Sequence, residues 1–150
     1  MSNRPKMKGQ TKKKSKIHRE FNWQPISFLS QVAYMIDGML DAAKETYEPL
    51  RQIQVHDDYT IKRIFEVTGQ QVKDEWMYDE QLDRWLQFPD LEPVQRDEIQ
   101  RLQGQMIELK QVNRKNLSIA EENKDKTIEK ILGKSDGELG LDFLMGKLKF

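Results

Sequence analysis

Apolar residues follow a regular helical pattern between residues 25 and 50. They recur at alternating intervals of three and four positions, at Ile26, Leu29, Ala33, Ile36, Leu40, Ala43, Tyr47 and Leu50. This is the heptad spacing of a helix that packs against other helices. Phe28, Val32, Met35 and Met39 widen the stripe, which favours a bundle core with more than one neighbouring helix. Pro25 suits the first turn of such a helix, where no backbone N–H is needed.

A second helix is predicted over residues 57–87, with a less regular apolar face. Asp57 or Asp58 is placed to cap its first turn. Gly69 lies in its middle and is expected to kink or split it, because glycine costs about 1 kcal/mol relative to alanine inside a helix. The short link Phe88-Pro89-Asp90 then predicts that the following helix packs antiparallel to this one.

A third, long helix is predicted over residues 91–133, with Pro93 in its first turn. At ~1.5 Å per residue it would be roughly 64 Å long, against roughly 38 Å and 46 Å for the first two helices. Such an overhang predicts that the protein associates with itself or with another protein. The apolar face weakens at Asn113 and Asn116, where either a poorly buried stretch or a buried asparagine that fixes helix register would fit. A break near Asn116 is the alternative, since Ser118 and Glu121 form a capping-box pattern.

A short C-terminal helix is predicted over residues 136–148, because Gly133 suits a helix end and Ser135 with Glu138 suits a new start. The segment is apolar on most sides and either caps the chain's own bundle or docks in a partner's groove. No stretch alternates like a strand, so the expected fold is all-α: three long antiparallel helices, a short fourth helix and a disordered basic arm. The expected division is an arm at residues 1–20 and a helical domain at residues 21–150.

Charge is divided unequally along the chain. The first twenty residues hold one acidic side chain, Glu20, and eight basic ones: Arg4, Lys6, Lys8, Lys12, Lys13, Lys14, Lys16 and Arg19. Residues 21–150 hold 17 basic and 24 acidic side chains, so a +7 arm precedes a −7 body. The formal net charge of zero conceals this division.

The arm is expected to bind nucleic acid, DNA or RNA, through its eight basic side chains. Cationic side chains gain affinity for phosphates by releasing counterions, without sequence specificity. Phe21 and Trp23 follow closely and would stack on unpaired bases if their rings were free. For Trp23, packing against the start of the first helix is the favoured role. Contact with an acidic protein or lipid surface, or a solvated tail without a partner, are the other interpretations of the arm.

Signatures of an enzyme are missing from the sequence. There is no cysteine, no glycine-rich phosphate loop and no metal-ligand spacing. His56-Asp57-Asp58 resembles part of a metal-assisted hydrolase site, but a helix cap is the simpler interpretation. The second helix also carries an acidic group that a solvated face would explain: Asp74, Glu75, Asp79, Glu80 and Asp83. We therefore expect no catalytic residue, metal, cofactor or small-molecule substrate.

The sequence thus predicts a non-enzymatic helical interaction or adaptor protein. It would form a homo-oligomer or a subunit of a protein complex, while its arm contacts nucleic acid. The alternatives are a structural subunit with no nucleic-acid role and, less favoured, the hydrolase at His56 and Asp57. Protein contacts are assigned to Met106, Asn113, Asn116, Leu139, Phe143, Leu144, Leu148 and Phe150. No apolar run has the length of a membrane span, and the basic start is not followed by the apolar segment of a secretory signal, so the expected location is cytoplasmic, or nuclear in a eukaryote.

Overall fold

The computed structural model describes residues 21–133, and these residues form helices joined by short links, without a strand. A single turn of 3-10 helix at Ile26–Phe28 leads into α1, Leu29–Gln52. Helix α2 spans Asp58–Leu86, α3 spans Pro93–Asn123, and the short α4 spans Ile128–Leu132. The all-α prediction is confirmed for this part of the chain. The predicted arm at residues 1–20 and the predicted helix at residues 136–148 lie outside the described residues.

Helix α3 is the element on which the other two long helices pack. Both α1 and α2 contact it along their lengths, whereas α1 and α2 make few contacts with each other. Two bonded pairs give the relative direction of α1 and α3. Asp37 bonds to Arg101 and Ala43 bonds to Asn116, so the residue numbers increase together and the two helices are parallel. By contrast, α2 runs antiparallel to α3. An up-down-up arrangement results, as short links between helices favour.

Two apolar clusters fill the spaces along α3. The larger one contains thirteen buried residues: Leu29, Val32, Ala33, Ile36, Leu40, Ala43, Leu82, Trp85, Ile99, Leu102, Met106, Leu109 and Val112. The smaller one contains Leu50, Ile61, Ile64 and Ala120 near the link between α1 and α2. The heptad positions of α1 thus contribute residues to both clusters. Apolar residues are needed at regular intervals because this helix is buried on one side along its length.

Asn113 and Asn116 occupy a buried polar layer on α3. The Asn113 side chain is 1% exposed, and its Nδ2 donates to Glu75 Oε2 at 3.1 Å and to Gln71 Oε1 at 3.2 Å. Asn116 is 0% exposed and donates from Nδ2 to the Ala43 carbonyl at 3.2 Å. The weak seam at these positions is therefore a buried layer of hydrogen bonds and not a poorly buried stretch.

The boundaries of α2 and α3 test several predictions. Asp57 caps α2, its carboxylate accepting from the Thr60 backbone N–H at 2.7 Å. The expected split of the helix at Gly69 is wrong, because α2 continues through this residue. At the start of α3, the Gln95 side chain accepts from the Glu92 backbone N–H at 3.0 Å, next to Pro93.

The predicted end of the third helix at residue 133 is wrong, and so is the alternative break near Asn116. Helix α3 runs through Asn116 and ends at Asn123, where a turn begins with a bond from Lys126 N to Asn123 O. Thr127 then adopts an extended conformation and starts α4. With 31 residues in α3 and 29 in α2, the two helices are about 46 Å and 44 Å long. The expected overhang is absent from the described part of the chain.

Candidate interaction groove

An open groove lies between the end of α1 and the start of α2, with a volume of about 460 Å³. Its lining residues include Leu50, Ile64 and Thr68, which are buried. They also include exposed residues from α1, the link and α2: Thr46, Pro49, Ile53, Tyr59, Arg63 and Val67. Ile53, Tyr59 and Val67 are 51%, 69% and 45% exposed. The groove is therefore mostly apolar and is covered by none of the described residues.

The packing of the helices accounts for this opening. Because α1 and α2 each bury their core stripe against α3, their flanking faces remain apart. At the end of α1 and just after it, the flanking positions Thr46, Pro49 and Ile53 recur at intervals of three and four, as one face of a helix does. A groove between two helices that share a third one is the position that a fourth helix occupies in a four-helix bundle.

His56 and Asp57, in the link before α2, line the groove. His56 is 4% exposed, and burial lowers the pKa of its imidazole against the opposing effect of the Asp57 carboxylate. The hydrogen bonds from Thr60 lower the pKa of Asp57, as expected for a capping carboxylate. Both residues therefore have structural roles at the start of α2.

The end of the described chain is attached to this same link. The Ile128 backbone N–H donates to the His56 carbonyl at 2.8 Å. Thr127 Oγ1 donates to Asp58 Oδ1 at 2.5 Å, and the Asp58 backbone N–H donates to Glu129 Oε1 at 2.8 Å. These bonds attach α4 to the link, in which His56 and Asp57 line the groove.

The His56-Asp57-Asp58 sequence does not form a metal centre in this geometry. Asp57 is engaged in capping α2, and Asp58 is engaged with Thr127 and Lys130. Within residues 21–133, no group of three or more histidine and acidic side chains is placed to hold a metal ion. The arrangement offers no support for the metal-assisted hydrolase.

The acidic side chains of α2 are used mostly in contacts within the chain, so the prediction of a solvated face describes them incompletely. Glu75 is buried against Asn113. Three of the other four bond to side chains of α3 or to the next turn of α2, namely Asp79 to Lys110, Glu80 to Arg84 and Asp83 to Gln103. Asp74 accepts from Gln70 at 3.2 Å. These residues help to join α2 to α3 and do not form a free acidic patch.

Trp23 packs on α2, whereas the sequence favoured packing against the start of the first helix. Its ring centroid is 4.5 Å from that of Phe21 and 6.0 Å from that of Trp76. The Arg84 guanidinium lies 4.4 Å from the Trp23 ring centroid, close enough for a cation–π contact. The next residue, Gln24, accepts at its carbonyl from Trp85 Nε1 at 2.9 Å. The segment that follows the arm is therefore anchored to α2.

The residues assigned to protein contacts fall in two places. Met106, Asn113 and Asn116 are buried between helices of the same chain, at 1%, 1% and 0% exposure. In this fold their side chains are not accessible to a partner. The remaining contact residues lie outside the described part of the chain: Leu139, Phe143, Leu144, Leu148 and Phe150. So do the eight basic residues of the arm.

The residues that line the groove were not predicted from the sequence. A signal for them exists in the sequence, because Met35, Met39, Ala42, Thr46, Pro49 and Ile53 follow a second stripe with intervals of three and four. That stripe flanks the core stripe of α1, and it continues beyond the groove-lining positions along the same helix face. A helix with two adjacent apolar stripes has more surface to cover than one neighbour can provide.

Comparison with known proteins gives no family for this chain. No family model matches it, and no curated protein or solved structure is significantly similar to it. Each helix between residues 21 and 133 is too short or too polar to cross a membrane. The function must therefore be argued from the charges, contacts and surfaces of the chain itself.

Proposed function

We propose that this protein is a non-enzymatic helical interaction protein whose basic arm contacts nucleic acid without sequence preference. Its acidic body would carry the arm and would form the protein contacts, either with a second copy or with a different protein. The observation that carries the proposal is the division between a +7 segment at residues 1–20 and a −7 body. An acidic body repels phosphate, so affinity for nucleic acid would have to come from the arm.

The ion pairs of the body support this division of roles. Residues 21–133 contain 14 basic and 21 acidic side chains. Eight of the basic ones form ion pairs with carboxylates: Lys44, Arg51, Lys62, Arg84, Arg101, Lys110, Lys124 and Lys130. Arg101 is held between Asp37 and Glu98, and these contacts raise its pKa. Cations already paired with carboxylates contribute little to phosphate binding.

The aromatic contacts at the base of the arm bear on which nucleic acid it prefers. Phe21 and Trp23 pack against each other and against Trp76. Rings held in this way are not free to stack on unpaired bases. We therefore expect binding through phosphates alone, with no strong preference for single strands over duplex.

A gel-shift titration over a range of salt concentrations tests the proposal. If about six arm cations engage phosphates, the logarithm of the affinity should fall with the logarithm of the salt concentration with a slope near −5 on duplex DNA. Deletion of residues 1–20 should abolish binding without loss of helix content. Binding that survives this deletion, or that does not depend on salt, would refute the assignment of the arm.

A matched pair of charge variants separates the arm from the body. The arm variant replaces Lys12, Lys13, Lys14 and Lys16 with glutamine, and the body variant replaces four exposed lysines in the same way: Lys62, Lys73, Lys115 and Lys126. Both remove four positive charges, so they change the net charge equally. The arm variant should weaken binding strongly and reduce the slope by about 3–4, since each phosphate contact contributes about 0.9. Equal loss in both variants would show that net charge alone controls binding.

Assembly without a nucleic-acid role is the second candidate function. The exposed apolar wall of the groove favours it, because Ile53, Tyr59 and Val67 line the same groove and are exposed. Sedimentation of the full chain at increasing concentration measures self-association. A monomer at high micromolar concentration that also binds no nucleic acid at low salt would leave a different protein as the partner.

A further inference from the structure

The groove between α1 and α2 has the size and composition of a site for a small ligand. Thirteen residues line it, and seven of these have apolar or aromatic side chains. Its volume of about 460 Å³ lies within the range of about 300–1,000 Å³ that is usual for ligand sites. Such sites are mostly apolar and contain a few polar groups that orient the ligand.

The groove alone is small for a protein partner. A stable protein–protein interface has about 20–30 residues on each side, whereas thirteen residues line this groove. On α2 the lining extends from Tyr59 to Thr68, which is about 14 Å at ~1.5 Å per residue. A molecule with one short apolar chain therefore fits the groove better than a folded domain does.

Arg63 is the only lysine or arginine among the residues that line the groove. Its side chain is exposed and makes no ion pair with residues 21–133, whereas eight of the 14 basic side chains in this range are paired. Tyr59 and Val67 lie one helical turn before and after it, so its hydrocarbon stem lies among exposed apolar side chains. The planar guanidinium is suited to bind a carboxylate through two parallel hydrogen bonds.

The other ionisable groups of the lining leave Arg63 as the position for a negative headgroup. Burial lowers the pKa of His56, so its imidazole is mostly neutral at pH 7 and adds little positive charge. Asp57 is the only acidic residue in the lining, and it caps α2 through the Thr60 backbone N–H at 2.7 Å. It precedes Arg63 by six residues, about 9 Å along α2. A carboxylate is therefore disfavoured at the start of α2 and favoured beside Arg63.

We propose that this groove binds a carboxylate with a single alkyl chain, a ligand of the fatty-acid class. Its headgroup pairs with Arg63, and its alkyl chain packs against apolar lining residues that include Ile53 and Val67. The inference goes beyond the proposed function and does not depend on nucleic-acid binding by the arm. A protein that contacts the same groove would compete with this ligand.

Titration of the unmodified full chain with sodium decanoate, followed by the NMR shifts of backbone amides, tests the proposal. Amides in the groove, such as those of Ile53, Thr60 and Val67, should shift together and saturate at about millimolar decanoate or below. The cations of the arm also attract carboxylates, so the groove amides are the readout and total binding is not. Decyltrimethylammonium, with the same chain and the opposite charge, should bind the groove about fivefold more weakly because it forms no pair with Arg63.

Two arginine variants test the headgroup contact. Arg63→Gln removes the cation and should weaken decanoate binding about fivefold, without weakening the binding of decyltrimethylammonium. Arg96→Gln is the matched control, because Arg96 is exposed on α3 and lies outside the groove lining. It should leave both affinities unchanged. Each variant removes one positive charge, so the net charge of the chain changes equally.

Two valine variants test the position of the alkyl chain. Val67→Glu places a carboxylate in the groove wall and should abolish the shifts caused by decanoate. Val72→Glu, on the same helix, with 36% exposure and outside the groove lining, should preserve them. Arg63→Gln decides the result if circular dichroism shows that Val67→Glu loses helix content.

Four results would overturn the proposal. They are the absence of saturable shifts at the groove amides of the unmodified chain, equal affinity for the two amphiphiles, equal losses in the two arginine variants, and shifts that persist in a folded Val67→Glu variant. A dimer that protects the same amides and excludes decanoate would also overturn it, in favour of a second copy of the chain as the occupant.

Discussion

Two asparagines that lie one turn apart on α3 should respond in opposite directions to the same substitution. Both are buried, but their hydrogen bonds differ. Asn113 donates to the Glu75 carboxylate and to Gln71, which lose this donor if Asn113 is replaced. Asn116 donates only to the Ala43 carbonyl, and its own Oδ1 has no hydrogen-bond partner. We expect Asn116→Leu to stabilise the protein and Asn113→Leu to destabilise it.

The magnitudes follow from the groups that each substitution leaves behind. Asn116→Leu removes an unpaired buried oxygen that costs about 1–3 kcal/mol and forfeits a hydrogen bond of about 1 kcal/mol. Added apolar burial of about 2 kcal/mol is largely cancelled by the strain of a larger side chain in a packed site. The net gain should be about 1 kcal/mol. Asn113→Leu has the same burial and strain but removes a bond to a carboxylate, so it should lose about 2 kcal/mol.

Urea unfolding followed by far-ultraviolet circular dichroism measures both variants. The midpoint concentration should rise for Asn116→Leu and fall for Asn113→Leu, with little change in the slope of the transition. Using one replacement residue at both sites keeps helix propensity and side-chain volume constant. A shift of the same sign in both variants would refute the reasoning, because it would show that burial and strain outweigh the hydrogen bonds.

Three further expectations concern other parts of the fold. Because burial lowers the pKa of His56, the unfolded chain takes up a proton near pH 6.5 before the folded chain does. The free energy of unfolding should therefore fall as the pH drops through about 6.5 toward the lower pKa of the folded state, and His56→Gln should reduce this fall in urea titrations. Gly69→Ala should stabilise the protein by about 0.5–1 kcal/mol in the same assay, since an added Cβ would meet nothing within 4 Å. Trp85→Phe removes the bond to the Gln24 carbonyl and leaves space in the core around a fully buried ring, so it should cost about 2–3 kcal/mol, measured as a lower melting temperature and faster amide exchange at residues 22–25.

Each of these expectations has a result that contradicts it. A pH dependence that is unchanged by His56→Gln would assign the titration to other groups. A loss of stability in Gly69→Ala would show that α2 needs glycine for a reason other than space. Unchanged exchange at residues 22–25 in Trp85→Phe would show that the aromatic contacts of Trp23 and the hydrogen bonds between Gln81 and Gln24 anchor this segment without Trp85.

The sequence predicted the first two helices well because local patterns determine them. The stripe from Leu29 to Leu50 is buried as the heptad spacing requires. Asp57 caps α2 through the Thr60 backbone N–H, a contact between residues three positions apart. Signals of this kind depend on neighbours in the chain, and a single sequence contains them completely.

The features that the sequence did not reveal depend on residues far apart in the chain. Asn113 interrupts an apolar face, but its partner Glu75 lies 38 residues away and was assigned to an exposed acidic surface. The chain after α3 is held across the fold, where the Ile128 backbone N–H donates to the His56 carbonyl. Without those contacts, the helical pattern of residues 124–132 suggested that α3 continued. The groove escaped notice for the same reason, since it follows from which pairs of helices touch.

The central position of α3 has a consequence for the order in which the protein folds. Bonds between α2 and α3 join residues 20 to 42 positions apart, whereas bonds between α1 and α3 join residues 64 to 73 positions apart. Closing the longer loops costs about 1 kcal/mol more chain entropy at these extremes. The α2–α3 hairpin is thus expected to form early, and α1 to join it late. On the ribosome, α1 emerges first and has no partner until nearly all of α3 has been synthesised, so its apolar stripe is the surface that a chaperone would encounter.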